Sequence, residues 1–431
     1  MKKIFLIILI TIYYSHNCFS QSFKKTIAMH ESANRPNEEA RDNKVNTKAP
    51  ITELLKLAKI GTYNSLNPYI IKGIAPPGIK GLVIESLMTW SPDEPFSLYP
   101  GIAEGVITPQ DRSWVEFKIN PHAQFSNGKK ITNKDIIFSW EILKKYGRPH
   151  TRSYYSLVKD VKEITSNIVR FTFSEKSNFE MPLIIGLMPV FSSAYWEKRD
   201  FTKTTLEPFI SSGPYLITEI KAGRSITYTK NKSWWRENSQ DSLGRNNFNK
   251  IKYDFYRDTN VSLQAFLSGE YDVNIETDAV RWVTAYHENP KNKIIKKTFQ
   301  KQSPSGIEGI ILNSRQFPFK DRNVRKAISI LFPYNFINEI LNHGLLKQTY
   351  GPWDNSDLAA TSMPSETTNE ILKKYLNIIS INALERINNK EIKEREAFKK
   401  SLSLLKKSGW QLINKKMTNI DTKEILKFEI I

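Results

Sequence analysis

From about residue 58 to the end of the chain, short segments with an apolar period of two interleave irregularly with segments of helical period. That mixture decides the fold class. Trp114 to Ile119 puts Val115, Phe117 and Ile119 on one side and Trp114, Glu116 and Lys118 on the other, as a half-buried strand does. Ile168 to Phe173 alternates in the same way after a Ser166-Asn167 turn. Between them, Asn127-Gly128 marks a tight turn, and Thr132-Asn133-Lys134-Asp135 resembles a capping box with Asp135 in the slot usually held by Glu. Ile136, Ile137, Trp140 and Leu143 then recur at helical spacing, which predicts a helix from about Asn133 to Lys145.

Further along, Ala222-Gly223 separates two strand-like runs, Tyr215 to Ile220 and Ser225 to Lys230. A short helix is predicted over Asn260 to Ser268, closed by Gly269, with strands at Tyr271 to Ile275 and Gly309 to Asn313. Asp321 caps a helix from Arg322 to about Leu331, and a helix over Asn335 to His343 ends at Gly344. A last helix, Glu391 to Lys407, stops at Gly409, with Trp410 placed to fold back over its final turn. No internal repeat is visible. The reading is a multi-domain α/β protein, and 431 residues are enough for two or three domains with a core each.

The 63 basic and 44 acidic side chains give a formal net charge of +19, which raises the question of nucleic acid. The lysines are scattered, with acidic residues between them, as in Lys390-Glu391-Ile392-Lys393-Glu394-Arg395-Glu396. Glu391–Arg395 and Glu396–Lys400 fall at i,i+4 on the predicted helix, the pattern of a solvated face. No zinc-finger, RNP or basic-region motif accompanies the charge. It reads as a basic surface suited to an envelope rich in anionic polymer and lipid, with no nucleic-acid partner. An aromatic content of 12 % excludes a chain disordered throughout.

The first residues pose a separate problem. Lys2 and Lys3 precede an eleven-residue apolar run, Ile4 to Tyr14, too short to span a bilayer. Cys18-Phe19-Ser20 places small residues at −3 and −1 of a cut before Gln21, which is the pattern of a secretory signal peptide over 1–20. Cleavage after Ser20 removes the one cysteine of the chain, so the exported, periplasmic protein would fold by packing alone. Residues 21–50 hold few apolar side chains and read as a flexible leader, with the folded body starting near Ile51. No stretch of 18 apolar residues occurs, so no helical membrane span is expected.

Catalytic signatures do not emerge. The six histidines, at 16, 30, 122, 150, 287 and 343, are far apart, and no His-Glu-x-x-His or Cys-x-x-Cys spacing occurs. There is no Gly-x-Ser-x-Gly elbow and no phosphate-cradling loop; Gly73, Gly78 and Gly81 lie around Pro76-Pro77, which gives an irregular loop. The reading is a non-enzyme with no metal site and no cofactor. Polar-aromatic loop segments stand out instead: Gly61 to Pro68, Ser91 to Tyr99 and Ile210 to Tyr215. Aromatic side chains on loops give large contact area at low entropic cost, where ligands are gripped.

These segments carry a resemblance. Gly61-Thr62-Tyr63-Asn64-Ser65-Leu66-Asn67-Pro68, Asp93-Glu94 with Leu98-Tyr99, Phe125-Ser126-Asn127-Gly128-Lys129 and Thr132-x-x-Asp135-Ile136-x-Phe138-Ser139 are similar to the extracytoplasmic solute-binding proteins, family 5, of peptide-type ABC importers. Ser212-Gly213-Pro214-Tyr215, Trp234-Trp235, Asn246 to Asn249, Phe255 to Thr259, Ala265 to Asp272 and Asn355 to Ala360 point to the YejA-like branch. The resemblance runs from about Leu57 to the last residue. It implies a type II periplasmic binding protein of the peptide-binding cluster, with a first lobe over about 51–300, an inserted subdomain at about 82–208, and a second lobe over 301–431.

It also implies an oligopeptide or peptide-like solute, an inner-membrane ABC permease as partner, a monomer, and hinge closure without covalent chemistry. The ligand residues it suggests are Tyr63, Asn64, Gly73, Ile74, Ala75 and Tyr99, with Asn313 and Arg315 from the second lobe; the stretch Lys72 to Pro76 would pair its backbone with the ligand. Family members carry more chain beyond Leu402 to Ile431, so the expectation is a truncated protein with an incomplete second lobe, ending in the apolar strand-like run Ile425 to Ile431. The competing reading is a non-transport basic envelope protein that binds peptidoglycan fragments or anionic surfaces.

Overall fold

A computed structural model describes residues 22–30, 33, 45–91, 94–175, 178–286, 294–300, 303–349, 351–356, 358–359, 364–378 and 393–430. The expected signal peptide at 1–20, and Glu391 of the charged helix face, lie outside them. The chain divides into two compact units, one ending at Asn274 and the other beginning at Ile275. Both are built from the irregular α/β mixture that the local patterns indicate.

Among the described residues, the first unit holds three sheets. The smallest joins β1 (Ile27–Ala28), β4 (Glu94–Pro100) and β3 (Met88–Ser91). Strand β2 (Thr52–Ile60) opens the second sheet, which continues through β11 (Phe248–Tyr256), β10 (Ser225–Lys230) and β9 (Tyr215–Lys221). Here β2 runs parallel to β11, with Thr52 opposite Phe248 and Ile60 opposite Tyr256. The third sheet is antiparallel, in the order β5 (Ala103–Ile107), β6 (Trp114–Ile119), β8 (Ile168–Phe173), β7 (Val158–Thr165). Val115, Phe117 and Ile119 turn into the core as their alternation predicts. On the other face of β6, Glu116 receives Arg170 of β8 at 2.7 Å, a cross-strand pair that satisfies the one carboxylate this sheet buries there.

Helix α1 (Asn133–Tyr146) starts where the capping pattern places it. The Thr132 amide and hydroxyl both donate to Asp135, at 3.0 and 2.8 Å. The other oxygen of Asp135 accepts from the Ser193 amide and hydroxyl, each at 2.9 Å. The shorter acid thus both caps the helix and ties it to a distant turn. Ile136 and Leu143 bury the apolar stripe of α1.

Within the stretch read as a leader, residues 23–29 are woven into two sheets. Lys24 and Val106 exchange backbone bonds at 2.9 and 2.8 Å, Ile27 pairs with Leu98 and is buried, and the Met29 amide donates to Phe96. Arg112 donates to the carbonyls of Ala28, Met29 and Phe179 and lies over the Phe179 ring at 4.0 Å. A guanidinium with several donors can hold a strand that has few apolar anchors.

Helix α2 (Thr259–Leu267) is capped by Asp258, whose carboxylate accepts from the Asn260 and Val261 amides at 3.0 Å. The strand expected at Tyr271 to Ile275 is reduced to one parallel bridge, Leu57 to Val273. Tyr271 turns inward against Ser262, and Asp272 engages Lys56 twice, its carboxylate accepting from the Lys56 amide and its own amide donating to the Lys56 carbonyl at 2.9 Å, so one bridge with side-chain support replaces a full ladder.

In the second unit, α3 (Arg322–Ile330), capped by Asp321, packs on α4 (Glu394–Lys407). Gly409, at φ +76°, lets Trp410 turn back, and Trp410 is 2 % exposed among Phe319, Val324, Ala327 and Leu405. A hairpin of β12 (Trp410–Ile413) and β13 (Lys416–Asn419) follows. The strand expected at Gly309 to Asn313 does not form, and the run from Ile425 makes one bridge, to Thr418. The apolar pattern is present in both; a paired edge is not. The helix expected over Asn335 to His343 is a short turn, Tyr334–Phe336, continued by wider π-type turns over Ile337–Leu341, and it ends at Gly344 at φ +70°.

Candidate functional site

Two neighbouring features of the first unit concentrate polar and aromatic groups. The first is the loop after β2. Tyr63 is 2 % exposed; its hydroxyl donates to the Ser225 carbonyl at 2.6 Å and its ring meets Phe255 at 4.9 Å, which fixes the loop on the sheet. Asn64 then closes a ring onto the next turn. Its Oδ1 accepts from the Ile74 amide at 2.8 Å, while the amides of Asn64 and Ser65 donate to the Ile74 carbonyl at 3.0 and 3.2 Å. Gly73 is needed between them: it sits at φ +84°, and a Cβ there would lie 2.7 Å from Ser65 Cβ and 2.8 Å from Thr204 Cγ2. The Ile74 side chain is left exposed. Among the described residues, the amides of Gly73 and Ala75 meet no acceptor.

The second feature is a cleft of about 410 Å³. One wall comes from a kinked turn, where Gly78 (φ +94°) and Gly81 (φ +89°) present Lys80 and lead into Glu85. The Tyr228 hydroxyl donates to the Pro77 carbonyl at 2.6 Å and locks the turn from below. Lys80 lies over the Tyr69 ring at 5.2 Å; desolvation, and then the nearby Arg148, hold its pKa below the usual lysine value. Trp90 of β3 and Tyr99 of β4 form a second wall, and the segment from Trp234 to Asn246 forms the third. Trp90 is 52 % exposed, whereas Tyr99 is buried and donates its hydroxyl to Glu94.

Glu85 is the electrostatic centre of the cleft. Glu85 is half-buried and lines the cavity, with desolvation the largest influence on its carboxylate. One oxygen accepts the indole N–H of Trp235 at 3.0 Å and that of Trp234 at 3.4 Å, and the Glu85 amide donates to Ser212 Oγ at 3.2 Å. Burial pushes its pKa up to about 7, against the opposing pull of the Trp235 indole, the Arg236 charge, Trp234 and Ser212. Arg236 donates to the carbonyls of Pro100 and Gly101 at 3.1 and 3.2 Å and pairs with Asp241. A second cavity of about 520 Å³ shares Trp234, Arg236 and Asp241 and adds Glu104, Asn120 and His122.

Of the residues singled out in the sequence, Tyr63, Asn64, Gly73, Ile74 and Ala75 come together in the one loop, and Tyr99 lies in the wall of the cleft. Asn313 and Arg315 belong to the second unit, where both are exposed and the Arg315 amide donates to Asn313 Oδ1 at 3.2 Å. Asn313 lines an apolar cavity of about 780 Å³ in that unit. Glu85, Lys80 and Arg236 escaped the sequence reading. A lone acid in an apolar run, Val83-Ile84-Glu85-Ser86-Leu87, gives no local sign that two indoles wait for it far along the chain. No group of three or more His, Cys, Asp or Glu with the arrangement of a metal site occurs among the described residues. No helix among them is long and apolar enough to cross a membrane.

Comparison with known proteins identifies the architecture. Residues 97–430 match the model of the bacterial extracellular solute-binding proteins, family 5 Middle. A curated relative from Brucella melitensis, named as a binding protein, is 33 % identical over 402 residues, covering 89 % of this chain and 66 % of the relative. The "probable peptide-binding protein YejA" of Agrobacterium fabrum is 30 % identical over 403 residues, covering 90 % and 65 %. The "peptidoglycan-binding protein YepA" of the same organism is 30 % identical over 406 residues, covering 86 % and 64 %. The chain thus spans about two thirds, or slightly less, of the length of these curated relatives. Among solved structures, the oligopeptide-binding protein AppA of Bacillus subtilis in complex with a nonapeptide aligns with a TM-score of 0.60 at 18 % identity, covering 88 % of this chain and 68 % of AppA. The likeness shows the fold, that of the two-lobed type II binding proteins.

Proposed function

Because this chain belongs to the bacterial extracellular solute-binding proteins of family 5, which bind solutes and are not enzymes, we propose that it captures oligopeptides or peptide-like solutes in the periplasm for an inner-membrane ABC permease. A signal peptide over residues 1–20 would carry it there. Lobes over about 51–300 and 301–431 would close on the solute by a hinge, ligand contacts shared by both lobes stabilising the closed form that docks on the permease.

The observation that carries this reading is the loop at Asn64 to Ala75. Both backbone groups of Ile74 are engaged by Asn64 and Ser65, which fixes the turn, while the amides of Gly73 and Ala75 meet no acceptor among the described residues and the Ile74 side chain beside them is exposed. An extended peptide is recognised in this way, through main-chain hydrogen bonds to a preformed edge with side chains lodged alongside. Tyr63 sets the loop on the sheet, and Tyr99, Asn313 and Arg315 are the further side chains assigned to the ligand.

A thermal-shift titration of the chain from Gln21 onward, against defined tripeptides and short muropeptides, tests the reading. Ligand at 100 times its Kd stabilises the binding-competent fold by about 2.7 kcal/mol. No shift with any of them would remove the transport role. The relative named for peptidoglycan binding favours a second reading, that of a basic envelope protein holding peptidoglycan fragments or anionic surfaces. Binding that falls steeply with salt and ignores peptide sequence would select it.

A further inference from the structure

The cleft around Glu85 is built for more than packing. Of the charged groups that line it, Arg236 and Asp241 are paired with each other, which leaves Lys80 and Glu85 facing the cavity. Among the described residues Lys80 has an aromatic ring but no carboxylate beside it, and the like charge of Arg148 is close enough to lower its pKa. The remaining wall is aromatic, from Tyr69, Trp90, Tyr99 and Trp234, with Trp90 half exposed. A volume of about 410 Å³ lies in the range of small-molecule sites.

We propose that this cleft binds the carboxylate of an organic acid with an aromatic or apolar body, Lys80 supplying the countercharge and the Glu85 carboxyl donating a hydrogen bond to it. The proposal rests on the solute-binding reading and narrows it to solutes that carry a carboxylate. Glu85 is fitted to the donor role because it is caught between opposed influences. Burial favours its neutral form, while the Trp234 and Trp235 indoles, Ser212 and Arg236 favour the anion. The balance places its titration near neutrality, and a second negative charge arriving in the cleft tips it toward the protonated acid. Binding then takes up a proton from the buffer. Arg236 is paired with Asp241 and pinned on the Pro100 and Gly101 carbonyls, so the free countercharge of the cleft is Lys80. The aromatic wall receives the ligand body, which explains why an exposed tryptophan stands at the mouth of a charged cleft.

Calorimetric titration of the chain from Gln21 onward at pH 7.5, in two buffers of different ionisation enthalpy, reads both affinity and proton uptake. The probes are N-acetyl-tryptophan and 3-phenylpropionate, each against its amide, with a tripeptide mixture titrated in parallel. The acids are expected to bind at least tenfold more tightly than the amides, with uptake of more than half a proton. Glu85→Gln should abolish the uptake, and Lys80→Ser, a change on an exposed side chain that leaves the fold untouched, should weaken acid binding about tenfold while sparing the amides. Equal binding of acids and amides overturns the proposal, as does acid binding without proton uptake in the parent chain. Stabilisation by the tripeptides with no response to either acid leaves solute binding standing and overturns the carboxylate site alone. Should Glu85→Gln fail to fold, the Lys80→Ser comparison decides.

Discussion

Replacing Glu85 with glutamine separates the electrostatic cost of its burial from the hydrogen bonds it accepts. The folded chain raises the carboxyl from 4.5 to about 7, so between those values the folded state binds more protons than the unfolded one, and stability falls as pH rises. The contribution of the neutral acid is present in full below about pH 4.5 and is lost as pH climbs through 7. At roughly 1.4 kcal/mol per pH unit the whole interval is worth about 3 kcal/mol, an upper bound because water in the cleft screens the charge. Glutamine keeps an oxygen for the Trp235 indole and carries no charge. Glu85→Gln should therefore match the parent near pH 5 and exceed it above pH 8. At about 2–4 °C per kcal/mol, the difference is a rise of several degrees in the melting temperature of the first unit. Scanning calorimetry from pH 5 to 8.5, comparing parent, Glu85→Gln and Glu85→Ala, measures it. Alanine leaves both indoles without an acceptor and should be destabilised at every pH. A difference between parent and glutamine that stays flat across this range would refute the reasoning.

Two further substitutions probe the frame around the cleft. Gly73→Ala forces a Cβ to 2.7 Å from Ser65 at a positive φ, so the loop must shift; about 1–3 kcal/mol of stability and most peptide-dependent stabilisation should be lost, read by calorimetry with and without tripeptide. Arg112→Ala removes the guanidinium that holds the carbonyls of Ala28 and Met29. Amide exchange over residues 23–29 should accelerate at least tenfold while β6 and β8 keep their protection.

Segments whose structure is decided by their own side chains were readable from the sequence. Strands β6 and β8 alternate because one face meets the core, and α1 begins at Thr132 because Asp135 is within reach of it. Gly344 and Gly409 end their helices at positive φ, as their positions suggest. Gly309 to Asn313 and Tyr271 to Ile275 carry strand composition, but a ladder needs a partner edge, which no local pattern reports. The leader reading came from a low apolar content over 21–50; Ile27 and Arg112, far apart in sequence, supply together what composition alone did not show. The same holds at the cleft. Tyr99 stood out as an aromatic on a polar loop, and Gly61 to Pro68 as turn chemistry, because those are local traits. Glu85 acquires its character from Trp234, Trp235 and Arg236, and burial of this kind is a property of the folded chain.

The parallel pairing of Thr52 with Phe248 has a consequence for the order in which the chain can fold. Strand β2 emerges early from the ribosome yet has no neighbour until β11 arrives, after the other two sheets of the unit have been threaded out. Pairing over so long an interval is slow, because the entropy of closing the loop is lost before the ladder forms. The second sheet therefore stays open until almost all of the first unit has been made.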